Sequence, residues 1–122
     1  MMTGFSPAAV KRQIAMSDLD KIDIRVGTIE RVDLVPRSEK LIKLTVNFGD
    51  HRRTILAGMR QERVDLKAEI EGRQALFVVN LASRQMAGEI SEGMLFDIGY
   101  ADGITPVLAV PERPVPNGSR AE

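Results

Sequence analysis

The chain has no cysteine, a single histidine, four phenylalanines and one tyrosine as its aromatics, and no surplus of charge of either sign. Each shortage removes a class of function. Without cysteine there is no disulfide, no thiolate metal site and no cysteine nucleophile, so stability must come from packing and a reducing compartment is permitted. No run approaches the roughly 18 apolar residues of a membrane span. The first fifteen residues lack the basic, apolar and small-residue order of a signal peptide, so a cytoplasmic protein with no membrane partner is the expectation.

The lone histidine, His51, would have to serve any triad or histidine metal site. It lies beside Arg52 and Arg53, cations that disfavour its charged form, with only Asp50 adjacent to orient it. It reads as an exposed turn residue. Asp18, Asp20 and Asp23, or Glu89 and Glu92, offer carboxylates but no calcium-loop pattern, and acids after Ser17 suit a helix start. There is no GxxxxGK phosphate loop and no dinucleotide fingerprint, so no metal and no cofactor are expected. Nothing presents a nucleophile with its base, which argues against an enzyme.

What is present is 122 residues, enough for one domain with a real core. The 17 Lys/Arg balance the 17 Asp/Glu, which counts against a nucleic-acid binder. The balance is uneven along the chain, however. Residues 1–60 hold 11 basic against 7 acidic side chains, and residues 61–122 hold 6 against 10. If the fold gathers the first set on one face, the protein is dipolar and steers a polyanion there; ordinary scatter over a solvated surface is the bland alternative.

Ser6-Pro7 reads as N-cap and first helical residue, with Val10 and Ile14 one turn apart, so a short helix to about Ala15 is predicted. Ser17-Asp18-Leu19-Asp20 gives a second cap-like signal, and residues 1–16 form an N-terminal helical extension to a domain spanning 17–122. From Ile24 the period becomes two. Ile24, Val26, Val32 and Leu34 share a phase, with Gly27 at a bend or bulge. Ile42, Leu44, Val46 and Phe48 alternate with Lys43, Thr45 and Asn47, and Gly49-Asp50 turns the chain into His51 to Ala57. Arg60 to Glu71 is a polar connector with a short helical spacing at Val64, Leu66 and Ile70.

Ala75 to Leu81 is apolar on both phases and reads as a strand covered on two sides. Met94 to Tyr100 and Ile104 to Val110 flank an Asp102-Gly103 turn. The tail from Pro111 to Arg120 should run extended. Five or six short strands of this kind describe an all-β small barrel with a short N-terminal helix, and equally an SH3-like barrel or a β-sandwich.

Two motifs narrow the choice: Leu19-Asp20-Lys21-Ile22-Asp23-Ile24-Arg25-Val26-Gly27-Thr28-Ile29, and Ser91-Glu92-Gly93-Met94 after Asn80. With the close Arg113-Pro114-Val115-Pro116-Asn117-Gly118-Ser119-Arg120, they resemble the small tRNA-binding domain family of free-standing tRNA-binding proteins, the methionyl-tRNA synthetase C-terminal appendix and the export chaperone CsaA. The resemblance implies an OB-fold, a five-stranded Greek-key barrel, with an extended C-terminal tail. It also implies a homodimer, which would account for the doubly apolar strand or the proline tail, and a partner that is tRNA or another folded RNA.

The family's RNA-facing loops match Lys40, Arg84, Ser91 and Met94 here, with Asn80 just upstream. By residue type, Lys40 and Arg84 neutralise phosphates, Ser91 donates to a phosphate or 2′-hydroxyl, and Met94 packs on a ribose or base. Arg37, Lys43, Asn47 and Arg53 join them as the wet side of the second and third strands. The bland alternatives are a turn for Lys40, an ion pair with Glu89 or Glu92 for Arg84, and the core for Met94. Ala82-Ser83-Arg84-Gln85 stands where the tRNA-binding branch carries a Lys-Pro-Arg-Lys-like run, which removes two charges and predicts weaker RNA binding. The wet face also lacks an aromatic for stacking, so a folded RNA read by shape fits better than a single strand. The competing reading is a CsaA-like chaperone for unfolded preprotein segments.

Overall fold

The computed structural model describes residues 5–122. In chain order it contains α1 (Met16–Leu19), β1 (Ile24–Leu34), β2 (Ile42–Asn47), β3 (Arg52–Ala57), α2 (Leu66–Ile70), β4 (Gln74–Val78), β5 (Arg84–Met86), β6 (Glu89–Ser91), β7 (Met94–Leu95), β8 (Asp97–Ile98), a 3-10 turn (Tyr100–Asp102), β9 (Val107–Leu108) and β10 (Arg120–Ala121). The main sheet runs β3-β2-β1-β4-β7, all antiparallel, with β10 added beside the start of β1.

The sheet curls because β1 serves two neighbours in turn. Its first half pairs with β4 and its second half with β2, and the register slips between Ile29 and Arg31. This bulge at Glu30 corrects the single inward phase predicted for Ile24, Val26, Val32 and Leu34. The extra residue moves the inward position from Ile29 to Val32, both fully buried, and Leu34 is left exposed. Val26 is buried under the C-terminal tail, whose Gly118 N–H donates to its carbonyl at 2.7 Å.

Gly27 is not the bulge either. A Cβ there would sit 2.5 Å from Val46 Cγ1 and 2.9 Å from Phe48 Cε1, so its hydrogen is what lets β2 lie close. The β2 alternation is as predicted: Ile42, Leu44 and Val46 are fully buried and Phe48 nearly so. With Ile29, Ile55, Ile70 and Phe77 they form the core, each such side chain contributing about 1.5 to 3 kcal/mol.

The half-barrel closes through side chains as well as backbone. The Glu92 N–H donates to the Thr54 carbonyl at 2.8 Å, the Thr54 N–H to Glu92 Oε1 at 2.9 Å, and the Leu56 N–H to Ser91 Oγ at 3.0 Å. The connector from Arg60 to Glu71 holds only the short α2, with Asp65 as N-cap and Ile70 buried.

Three expectations need correction. The N-terminal helix lies at Met16–Leu19, not at Ser6 to Ala15, where Val10 and Ile14 are exposed and have nothing to pack against; residues 1–4 of that segment fall outside the described residues. The Asp102-Gly103 turn closes a longer loop through the 3-10 turn, with Asp97 facing Leu108 and Ile98 facing Val107. Periodicity also missed a ribbon, β5–β6, joined by Ala87 and Gly88, both at positive φ, as a two-residue hairpin turn of this hand requires. The tail is pinned by Gln74 and Thr28, which bond to Val115 and Asn117.

Candidate nucleic-acid interface

One end of the half-barrel is formed by the loop between β1 and β2, the end of β3, and the ribbon. The loop is shaped from within: Ser38 Oγ accepts from the N–H groups of Lys40 and Leu41, and the Arg60 N–H donates to the Lys40 carbonyl at 3.1 Å. Arg60 also reaches Ser38 O through Nη1. Arg60 therefore props the loop that carries Arg37 and Lys40, a role with no signal in the sequence pattern. The ribbon leans on the same region. Lys43 Nζ and Glu89 Oε1 lie 3.0 Å apart, and Gly88 faces the Arg37 side chain closely enough that a Cβ would stand 3.4 Å from Arg37 Nη1.

This arrangement sets Arg37, Lys40 and Lys43 against the ribbon, with Arg84 at the ribbon's open end opposite Ser91 and Met94 on β7 beside Val78. Arg37, Lys40 and Arg84 are exposed, and among the described residues none has a carboxylate within ion-pair distance. The acids that stood as alternatives for Arg84 are engaged elsewhere, Glu89 by Lys43 and Glu92 by Thr54. Met94 is 46% exposed on β7 and borders a cavity of about 150 Å³ shared with Gly58, Met59 and Asp97. It is not a core methionine.

The other four residues are held differently. Ser91 is buried, its hydroxyl accepting from Leu56 N and donating to Gly93 O at 3.0 Å. Asn80 lies at the far end of β4, where its carboxamide accepts from Asp23 N and donates to Lys21 O. Asn47 donates to Glu30 and accepts from Gly49 N. Arg52 donates to the same Glu30 carboxylate at 2.6 Å, and these hydrogen bonds, Arg52 first, hold the Glu30 carboxyl below its ordinary range. Arg53 donates to the carbonyls of Val79 and Glu92 and to His51. The pairings of Ser91 with Leu56, of Asn80 with Lys21 and Asp23, and of Arg53 with Val79 and Glu92 join residues far apart in sequence and leave no local pattern to read.

Near Met94, burial raises the carboxyl of Asp97 above its ordinary value. Burial does the same to Glu62, with Asp97 adding a like-charge push. No group of three or more His, Asp or Glu among the described residues is placed to hold a metal ion. No helix among them is long and apolar enough to cross a membrane.

Known proteins resemble this chain in sequence and in fold. Residues 24–120 match the family described as "Putative tRNA binding domain". The chain is 35% identical over 113 residues to the methionine–tRNA ligase of Parabacteroides distasonis, covering 93% of this chain but only 16% of that protein. Among solved structures, a MetRS-related protein from Pyrococcus horikoshii superposes with a TM-score of 0.82 at 32% identity, covering 92% of this chain and all of that one. A CsaA chaperone protein from Picrophilus torridus does so with a TM-score of 0.78 at 28% identity, covering 90% of this chain and all of that one. The strongly curled antiparallel sheet is thus an OB-like barrel, and the chain belongs to the tRNA-binding domain family.

Proposed function

We propose that this protein is a non-catalytic, homodimeric, cytoplasmic binder of tRNA or a similarly folded RNA, reading shape and phosphates rather than base sequence. What supports the reading is that Arg37 and Lys40 in the β1–β2 loop, and Arg84 in the ribbon whose turn faces Arg37, are exposed and free of carboxylate partners among the described residues, with Met94 exposed on β7. In a chain of zero net charge, unpaired cations gathered in one place matter more than their total. The three cations contact phosphates and Met94 packs on a ribose or base. Lys43, already neutralised by Glu89, adds little. Ser91, Asn80, Asn47 and Arg53 act through the backbone they hold. A dimer doubles a modest patch and gains avidity when one RNA spans both copies; a monomer by light scattering at micromolar concentration removes that part.

The test is fluorescence anisotropy of labelled tRNA at low and near-physiological salt. Each phosphate contact contributes a fall of roughly 0.7 to 0.9 in log K per log unit of salt, so three contacts give a slope of about −2 to −3 and Lys40→Ala with Arg84→Ala leaves about one third of it. Absence of binding at low salt overturns the proposal.

A second reading, a CsaA-like chaperone for unfolded segments, is favoured by a different surface. Met16, Leu19 and Ile22, each about half exposed or more, line a groove of about 580 Å³ beside Asn80 and Arg120. Peptide binding there would respond little to salt, which separates the two readings in one titration series.

A further inference from the structure

Asp50, His51 and Arg53 form a hydrogen-bonded chain whose polarity is set by chemistry. The Arg53 Nε–H donates to His51 Nε2 at 3.0 Å, and a guanidinium has no lone pair with which to accept. Nε2 is therefore the acceptor, the ring proton sits on Nδ1, and Nδ1–H donates to Asp50 Oδ1 at 2.6 Å. In this arrangement the imidazole is neutral. Phe48 underlies both partners, with the His51 ring stacked 5.6 Å away and the Arg53 guanidinium 5.9 Å from the ring centre.

The same guanidinium does a second task. Arg53 Nη1 donates to Val79 O at 2.6 Å and to Glu92 O at 3.1 Å. Those two carbonyls stand at the start and end of the segment that carries β5–β6 and Arg84. One side chain on β3 thus joins both feet of the ribbon, adding to the Val79 N–H to Asp23 O and Glu92 N–H to Thr54 O bonds.

We propose that His51 and Arg53 are positioning residues for the ribbon, and that a second proton on His51 removes the Arg53 part of its hold and so loosens it, the main-chain bonds of Val79 and Glu92 remaining. A proton on Nε2 sets two donors face to face across 3.0 Å, so the guanidinium must turn away. Its fork is planar and rigid, and Nη1 cannot keep both carbonyls once Nε has turned. The consequence for Arg84 rests on the RNA reading; the clamp itself is a property of the free protein.

The charges facing His51 come from four elements. Asp50 lies in its own turn, Arg53 on β3, Asp23 and Arg25 at the start of β1, and Arg120 on β10 reaches Asp23. Asp23 is held bidentately by Arg25 at 2.6 and 3.1 Å, which keeps its carboxyl below the usual range. The His51 side chain is 46% exposed beside a cavity of about 210 Å³, so solvent protons reach it.

With one histidine in the chain, long-range proton–nitrogen correlation spectra of the free protein report His51 without ambiguity. Amide exchange of residues 84–91, corrected for intrinsic rates, reports the ribbon. Between about pH 8 and pH 5, where imidazoles titrate, we expect the Nδ1–H tautomer at the alkaline end. On acidification the ribbon should open roughly tenfold more often in step with the His51 signal, the ratio for losing one charge-assisted hydrogen bond. Leu44 and other core amides stay unchanged, His51→Ala abolishes the step, and Arg53→Ala opens the ribbon at every pH. An Nε2–H tautomer, a ribbon indifferent to the titration, or a step that survives in His51→Ala overturns the proposal. A clamp that behaves this way in a protein that ignores tRNA supports it and sinks the RNA reading alone.

Discussion

Gly27 is the tightest point of the β1–β2 contact, and filling it with alanine tests the packing directly. The new Cβ lands 2.5 Å from Val46 Cγ1 and 2.9 and 3.1 Å from two Phe48 ring atoms. Val46 is fully buried and Phe48 is 3% exposed, so neither has solvent to swing into. Overpacking of this kind costs about 1 to 3 kcal/mol. In a domain of this size each kcal/mol lowers Tm by roughly 3 to 5 °C, so Gly27→Ala should melt about 3 to 15 °C lower, with a matching fall in the urea midpoint. Val46→Ala alone removes two methyl groups, worth about 1.6 kcal/mol. Combined with Gly27→Ala it makes room for the new Cβ, and the double variant should be more stable than the sum of the singles by at least about 0.5 kcal/mol. A loss under about 0.5 kcal/mol for Gly27→Ala, or strict additivity in the double variant, would refute the claim that a missing Cβ sets this strand spacing. Because Phe48 also underlies His51 and Arg53, the His51 ring signals should shift in Gly27→Ala.

Ser91→Ala leaves the Leu56 N–H without its acceptor at the closing seam and should cost about 1 to 3 kcal/mol while leaving the salt slope of tRNA binding unchanged; a shallower slope at undiminished stability would instead mark Ser91 as a phosphate contact. Burial raises the Glu62 carboxyl above its ordinary 4.5, and its Oε2 is buried without a hydrogen-bond partner. The folded state therefore binds that proton more tightly than the unfolded chain, a contribution present below the unfolded value and lost as pH rises through the folded one. Glu62→Gln should accordingly raise the urea midpoint at neutral pH and lose that advantage near about pH 4. Equal gains at both pH values would count against the sign of the shift.

The parts of this fold that could be read from the sequence are those where local alternation and burial coincide. The β2 run could be read because every second residue from Ile42 to Phe48 faces the core and nothing interrupts the pleat. β1 departs from a single phase because of a bulge at Glu30 that carries no composition of its own, leaving Val26 and Val32 buried but Leu34 exposed. Gly27 stood out as unusual, but its reason lies in side chains about twenty residues away. At the N-terminus, Ser6-Pro7 is a genuine capping signal attached to a stretch with no surface to bury Val10, and a short helix without tertiary packing does not form. The site divides in the same way. Cations in a loop and a ribbon stay exposed, as their sequence positions suggest, whereas Ser91 and Asn80 are polar groups drawn into backbone pairings that only the folded chain supplies, and Asn47 is used in its own turn, accepting from Gly49 N.

No residue from Leu81 to Ile90 is buried, and β5 pairs with β6 alone. The stretch therefore contributes nothing to the core and obeys none of the alternation that the barrel imposes on its strands. It behaves as a cassette, an insert whose letters can be rewritten without rewriting the container. Exchanging it for another short hairpin with a two-residue turn would change what the surface captures and leave the melting behaviour of the barrel in place, which makes this small scaffold a candidate for building binders to other polyanions.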